Sequence, residues 1–426
     1  MPIERAPYLI YSEQVSTVNY LNSTGSDVLA IIAPTKFAKL TNAGAIETET
    51  VNDETVTKWY EPTIKEDEIL IFNRYSVAEQ MVENETLKKV LKDFFLENSY
   101  YSAQDNLGVN AVMVIPIPTT TTGTGNDTVT HPTVNDFLNA YKLLRKYRKV
   151  TAIGCVGMSN PQDLVVSLRQ YLVEDQQEGF LRIAYLQAPS KGANETITEY
   201  ATRIANLNQK HTEGTGNDAT TVDGANSSRI AFIEPTFYGT LLAKICNTEY
   251  YIEPGYLPIN SLAVGEFETL SPEERDKLCM SGLIFGEDDV LLPTTTPRIC
   301  LGVSSSFGRP YSATAQNYDT RPADSLLHAR RNVDHHVREI LNILASQLKR
   351  NETSVTLRYV KNEVMSYLES ELTKGTIQAY SFNVIESSYN PYCLLVTGSI
   401  VPVNSTLAIE FSNYIGAPYT IASNYV

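Results

Sequence analysis

Three places in this 426-residue chain carry residue types that could do chemistry. The first is Gly154-Cys155-Val156-Gly157-Met158-Ser159-Asn160-Pro161, between an apolar run and an amphipathic segment. Phosphate-binding loops occupy that place in dinucleotide-binding folds, because amides at a helix N-terminus point at the anion. The spacing here is not G-x-G-x-x-G. The next apolar run leads into Gln187-Ala188-Pro189, without the acidic residue that would hold a ribose hydroxyl. The second place is the sequence Gly-Thr-Gly-Asn-Asp, present at 123–127 and again at 214–218. Neither copy is followed by the Lys-Ser/Thr of a phosphate loop, and each offers one Asp where a calcium loop needs several carboxylates. Both read as polar turns. The third is His328, His335 and His336 with Asp334 and Glu339, all within one amphipathic segment. His328 and His335 lie seven apart and share a helix face, but zinc needs three or four convergent ligands and a catalytic histidine needs a nucleophile in reach. His131 and His211 fall in polar stretches. These histidines are expected to be structural or on the surface. Cys155 is expected in a strand, where burial raises a thiol pKa and works against nucleophilicity. The pairs Glu273/Glu274 and Asp288/Asp289 are explained by a helix start and a loop. No catalytic, cofactor-binding or metal-binding residue is assigned.

Composition narrows the classes further. A net charge of −15 argues against general nucleic-acid binding, which needs a basic surface to displace counterions. No run of about 18 apolar residues occurs, so no membrane-spanning helix is expected. Met1-Pro2-Ile3-Glu4-Arg5 has no apolar stretch of the secretory type. The five cysteines are scattered, odd in number and never arranged as Cys-x-x-Cys, which fits reduced, buried thiols and synthesis in a cytoplasm.

Periodicity supplies the elements. Residues 1–26 read as an arm with short extended pieces at Tyr8–Tyr11 and Val15–Tyr20. Val28–Ala33 and Ile69–Phe72 read as strands, 44–68 as acidic, Thr-rich surface structure, and 84–98 as a helix with Leu87, Val90, Leu91, Phe94 and Phe95 on one face. Val109–Ile117 is a predicted strand and 119–130 a loop. An alternation follows: helix 134–148, strand 150–156, helix 161–174, strand 180–186, helix 195–208, polar loop 209–228, strand 230–233 and helix 237–246. That rhythm predicts a partly parallel sheet covered on both faces. Ser271-Pro272-Glu273-Glu274 is a helix start, with an N-cap Ser, Pro at the first helical position and acid in the first turn. Strand-like pieces at 283–285 and 298–303 come next, then a polar loop at 304–323.

The last hundred residues differ in kind. Helices are predicted over 324–350, with a stripe of Val333, Val337, Ile340, Leu344 and Leu348, and over 356–374, with Leu357, Val360, Val364, Leu368 and Leu372. Three strand-like segments follow. In the last, Val403, Leu407, Ile409 and Phe411 share one parity, and Glu386 and Glu410 are the only charges after Lys374. A terminal strand with so little charge presents an edge suited to pairing with another chain. Between Asp324 and Lys361, seven basic residues (Arg330, Arg331, Arg338, Lys349, Arg350, Arg358, Lys361) stand against four acidic ones (Asp324, Asp334, Glu339, Glu352). The region is therefore either a solvated helix face or a docking surface for an acidic partner.

Taken in order, these segments resemble contractile tail sheath proteins of phages and related injection systems. The N-terminal arm leading into Ala30-Ile31-Ile32-Ala33-Pro34 is similar to the family's opening strand, and 69–117 to its early segment. Val150–Gly154 and Arg182–Pro189 are similar to two middle strands. Leu270-Ser271-Pro272-Glu273-Glu274-Arg275-Asp276-Lys277-Leu278 with Ser281-Gly282-Leu283-Ile284 resembles its helix-to-strand turn, and Arg330-Arg331-Asn332-Val333 opens a stretch resembling its C-terminal domain.

The resemblance implies a mixed α/β and α+β chain. In that picture the N-terminal strand joins the C-terminal helices and strands in a tube-proximal α+β sheath domain. An α/β middle domain is inserted and faces outward. The corresponding division is an arm at 1–26, a first part of the core at 27–117, the inserted domain at 118–265, the C-terminal core at 266–401 and a C-terminal strand at 402–426. It implies no enzyme and no cofactor, but a subunit of stacked hexameric rings around an inner tube. Partners would be further copies of this chain, the tube protein, and baseplate and terminator proteins, in a virion tail or similar particle made in the host cytoplasm. No nucleic-acid contact and no membrane insertion would be made by this chain. Val15, Val18 and Tyr20 at one end and Leu407, Ile409 and Phe411 at the other would exchange strands with neighbours. The seven basic residues named above would face the tube. Two other classes stay open on the residues alone: a nucleotide-binding or enzymatic α/β protein, and a shell or adhesin protein that assembles without contracting.

Overall fold

A computed structural model describes residues 27–42, 44–105, 111–120, 131–158, 161–208, 211–213, 220–225, 227, 229–252, 254, 270–287, 298–301, 327–345, 354–386 and 394–403. The first strand, β1 (Leu29–Pro34), is apolar at both parities and buried at every position. Such a run needs cover on both faces, which an interior strand of a sandwiched parallel sheet provides. Two small antiparallel units follow. One pairs β2 (Phe37–Ala38) with β5 (Trp59–Tyr60). The other is an exposed hairpin of β3 (Thr48–Val51) and β4 (Glu54–Thr57). Its turn residues, Asn52 and Asp53, both have positive φ (51° and 63°), the geometry a two-residue hairpin loop demands.

The remaining elements build the main body. In chain order they are β6 (Leu70–Phe72), α1 (Tyr75–Met81), α2 (Glu85–Asp105), β7 (Val112–Ile117), α3 (Val134–Leu143), β8 (Ala152–Cys155), α4 (Pro161–Gln177), β9 (Ile183–Gln187) and α5 (Ile197–Asn208). They continue with the short pair β10 (His211–Glu213) and β11 (Thr220–Val222), then β12 (Ile230–Ile233), α6 (Tyr238–Asn247), α7 (Pro272–Ser281), β13 (Leu283–Glu287) and β14 (Arg298–Leu301). Eight strands form one sheet in the order β14-β13-β12-β9-β8-β1-β7-β6. The six inner strands run parallel, and an antiparallel strand closes each edge. Alternate residues of each strand enter two cores. Ala30, Ile32, Met113, Ile115, Ile153, Ala184 and Phe232 face α3, α4, α5 and α7. Leu29, Ile31, Val112, Val114, Ile183, Tyr185 and Ala231 face α1, α2 and α6. The result is a three-layer sandwich.

The C-terminal region holds α8 (Leu327–Ala345), α9 (Ser354–Lys374), β15 (Ile377–Glu386) and β16 (Leu394–Pro402). The two strands form an antiparallel ribbon separate from the main sheet. The ribbon and the helices share a small core of Val364, Leu368 and Ile377, against which Ile340, Ile343, Leu344, Tyr380, Phe382 and Ile400 pack.

Several expectations need correction. The boundaries at 117/118 and 265/266 do not divide the sheet, because β1 and β7 on one side and β13 and β14 on the other hydrogen-bond into the same ladder as β8, β9 and β12. The N-terminal strand is central in the α/β body; it does not pair with the C-terminal ribbon. The polar stretch 209–228 contains the β10–β11 pair, and α1 lies where no helix was expected. In α8 the apolar stripe is only half-buried at Val333, Val337, Ile340 and Leu344, while Arg331, Asn332, Asp334 and His336 are buried. Leu372 of α9 is exposed. The strand-exchange residues Val15, Val18, Tyr20, Leu407, Ile409 and Phe411 lie outside the described residues, as do Lys349 and Arg350.

Candidate functional site

The loop that most resembles a phosphate cradle is filled by the protein itself. The Tyr238 hydroxyl reaches over β8 from α6, donating to the Tyr185 carbonyl (2.6 Å) and accepting from the Cys155 amide (2.9 Å). A Cβ on Gly154 would stand 3.0 Å from that hydroxyl, and one on Gly157 would stand 2.8 Å from the Pro34 ring. Gly157 also has φ of +74°, which side chains rarely adopt. Close packing thus accounts for both glycines. Burial pushes the Cys155 thiol up to about 12, so it stays protonated.

The histidines of α8 are packing elements. The His335 ring stacks on Tyr250, with centroids 3.6 Å apart and planes 9° from parallel. His336 is buried and its Nδ1 lies 2.7 Å from the Tyr367 hydroxyl. Among the described residues no three metal-capable side chains gather, and no helix is long and apolar enough to cross a membrane.

A buried polar constellation joins the start of β1 to α8. The Asp27 carboxylate accepts from the Arg331 Nε (2.8 Å) and from the Thr151 hydroxyl (2.8 Å). A second Arg331 nitrogen donates to the Thr248 carbonyl at the end of α6 (2.5 Å). One turn along α8, Asp334 accepts two bonds from Arg229 (2.6 and 3.0 Å) and another from the Arg330 Nε (3.0 Å). Arg338 donates to the Leu181 carbonyl (3.2 Å). Burial alone would raise the Asp27 carboxyl, but Arg331 and Arg338, with the Arg331 and Thr151 hydrogen bonds, hold it below the ordinary carboxylate range. Buried charges survive only when paired in this way.

This arrangement corrects the expectation that Arg330, Arg331 and Arg338 form part of an exposed basic face. Arg331 is 2% exposed; it and the half-buried Arg338 turn toward the Asp27 carboxylate and the Thr248 and Leu181 carbonyls of the sheet body, while Arg330, also half-buried, pairs with Asp334 on its own helix. Of the described basic residues proposed for docking, Arg358 is exposed and Lys361 half-buried, both on α9. Asp27, Arg229 and Asp334 are central to the junction, yet sequence reasoning assigned them no site role. Only the Arg330/Asp334 spacing of four gave a signal, and it could not say which way the pair points.

The ribbon is the other feature suited to assembly. Ile377 points into the small core and Val384 is buried, while Ser381, Asn383, Ile385, Thr397, Ser399 and Val401 are exposed. Among the described residues each strand has one partner, so one backbone edge of each carries no ladder bonds.

No family model matches this sequence, and no curated relative does. Solved structures do match. A chain of the six-fold symmetrised cryo-EM structure of the anti-feeding prophage baseplate is similar over 97% of this chain and 100% of its own, with a TM-score of 0.57 and 10% identity. A chain of the PVC sheath complex of an extracellular contractile injection system, in its contracted state, is similar over 95% of this chain and 97% of its own, with a TM-score of 0.56 and 11% identity. At such identities the likeness is one of architecture, and it spans nearly the whole chain: this chain shares its fold with a chain of a contractile sheath complex.

Proposed function

We propose that this chain is a structural subunit of a contractile sheath. It polymerises as stacked hexameric rings around an inner tube, and the stack passes from a metastable extended state to a contracted one that drives the tube through a target envelope. The observation that carries this reading is the near full-length match to a chain of a contracted sheath complex. The β15–β16 ribbon supports it, because its free edges suit strand addition. Residues 1–26 and 404–426 are the proposed donors, with Val15, Val18 and Tyr20 in the first and Leu407, Ile409 and Phe411 in the second. The chain needs no chemistry for this. The energy resides in interfaces, where even ~1 kcal/mol per contact becomes large over many subunits. Its further partners are the tube, baseplate and terminator proteins of the same particle.

Deleting the residues after Pro402 tests the proposal. The truncated chain is expected to remain folded, with a native circular dichroism spectrum, and to form no tubes in negative-stain micrographs. Normal contractile tubes from the truncated chain would refute strand exchange at this end.

A further inference from the structure

The junction that seats α8 and α9 on the sheet body contains two histidines in a setting that disfavours their charged form. Tyr250, which follows α6, presents its ring to both: His335 stacks on it, and His336 meets it edge-on at 5.3 Å. The two imidazoles are 5.5 Å apart. His336 uses Nδ1 on Tyr367 of α9, and its Nε2 is buried with no hydrogen-bond partner. A second proton would place a charged N–H there without an acceptor, an arrangement that costs far more than a neutral one.

The charged groups around the pair do not offset this. Arg338, one turn beyond His335 on the same helix, and Lys374 on α9 are both cations that disfavour a protonated ring. Glu371 of α9 is the carboxylate that acts on His336, but it already accepts from Lys374 (2.6 Å), Thr376 (2.7 Å) and Tyr250 (3.1 Å). Asp27 acts on His335 from the body side but is held by Arg331. Tyr251 packs edge-on to Tyr250, and Glu339 of α8 acts on Tyr367.

We propose that this junction is an acid-sensitive joint, in which protonation of His335 and His336 releases the α8–α9 pair from the sheet body while the sheet remains folded. Burial first, and then Arg338 for His335, pushes both histidines down to about 4 from their ordinary 6.5. An opened junction returns them toward the ordinary value. Between those values the open form binds protons that the closed form does not, so opening is favoured as pH falls from 6.5 towards 4. The inference rests on the junction's geometry and holds whether or not the chain forms a sheath.

Hydrogen exchange of the full chain, corrected for the intrinsic pH dependence of exchange, reads this directly. Between about pH 7 and about pH 5 the amides of Ser354–Lys374 are expected to lose protection by on the order of tenfold per histidine, while those of β8 and β9 keep theirs. The double variant His335→Phe/His336→Gln, which retains an aromatic stack and cannot titrate, is expected to abolish the loss. Should that variant fail to fold, His335→Phe alone is expected to reduce it. Constant protection of α9 across the range overturns the proposal, as does a loss in these variants equal to that of the unsubstituted chain.

Discussion

Asp27 and Arg331 are 304 positions apart and meet inside the protein. The pair fixes how the start of the central strand sits against the C-terminal helices, and its worth is better judged by breaking it than by its presence. Removing one partner of a buried pair leaves the other charged and unsolvated, which costs about 3–5 kcal/mol. Arg331→Met is therefore expected to destabilise the chain by that amount, measured by urea unfolding. Asp27→Asn/Arg331→Met is expected to cost less than Arg331→Met alone, because no orphan charge remains. The sign of the pH dependence also follows. The Asp27 carboxyl is held below its ordinary range, so the pair's contribution is complete above that range and fades as pH falls through the lower folded value. Its acid window thus lies below the one assigned to His335 and His336, and the two are separable in one titration. None of this was legible in the sequence. Arg330, Arg331 and Arg338 looked like a positive helix face because sequence spacing fixes which residues share a face but not which face is covered. The groups that turn Arg331 and Arg338 inward come from distant segments, the Asp27 carboxylate and the Thr248 and Leu181 carbonyls, and Arg229 reaches Asp334 from the body in the same way.

At the scale of elements the sequence was more informative, and the reasons are physical. Strands β1, β7, β8, β9 and β12 are apolar at both parities, so burial on two faces was visible without knowing the order of the strands. The α/β alternation carried the parallel core. Hidden from that reading were elements with weak patterns: α1, the β10–β11 pair within a polar stretch, and the mixed burial of α8, whose buried side chains include Arg331, Asn332 and Asp334. Helix packing adds a constraint that hydropathy does not show. Helices α2 and α6 cross so closely that a Cβ on Gly239 would stand 2.1 Å from the Val90 carbonyl oxygen. Backbone cannot yield there as a flexible side chain would. Gly239→Ala is expected to destabilise the chain by about 1–3 kcal/mol, read as a lower urea midpoint. Gly375→Ala provides a control of another kind: nothing stands within 4 Å of its Cβ, so any cost comes from its left-handed φ of +75°.

For the whole molecule, the question is which surface a tube would meet. Sequence reasoning gave seven basic residues to that surface; of these Arg331 is buried, and Arg330 and Arg338 are half-buried and engaged within the subunit. Arg358 and Lys361 lie in α9, exposed and half-buried, and Lys349 and Arg350 precede that helix in the sequence. The chain as a whole carries −15, so this is a local reversal of sign that complements an acidic partner and sets its orientation more than its affinity. Arg358 is exposed, so reversing its charge leaves the apolar packing of Val360, Val364 and Leu368 intact. Arg350→Glu/Arg358→Glu is therefore expected to preserve the melting temperature of the subunit and to weaken its co-assembly with the tube. The weakening is expected to vary with salt, because exposed charges beyond about 10 Å are screened at 0.1 M ionic strength. Co-sedimentation of sheath with tube measures it. Unchanged co-sedimentation at low and high salt would remove the basic cluster from the tube interface and leave the exposed face of the β15–β16 ribbon as the surface to test next.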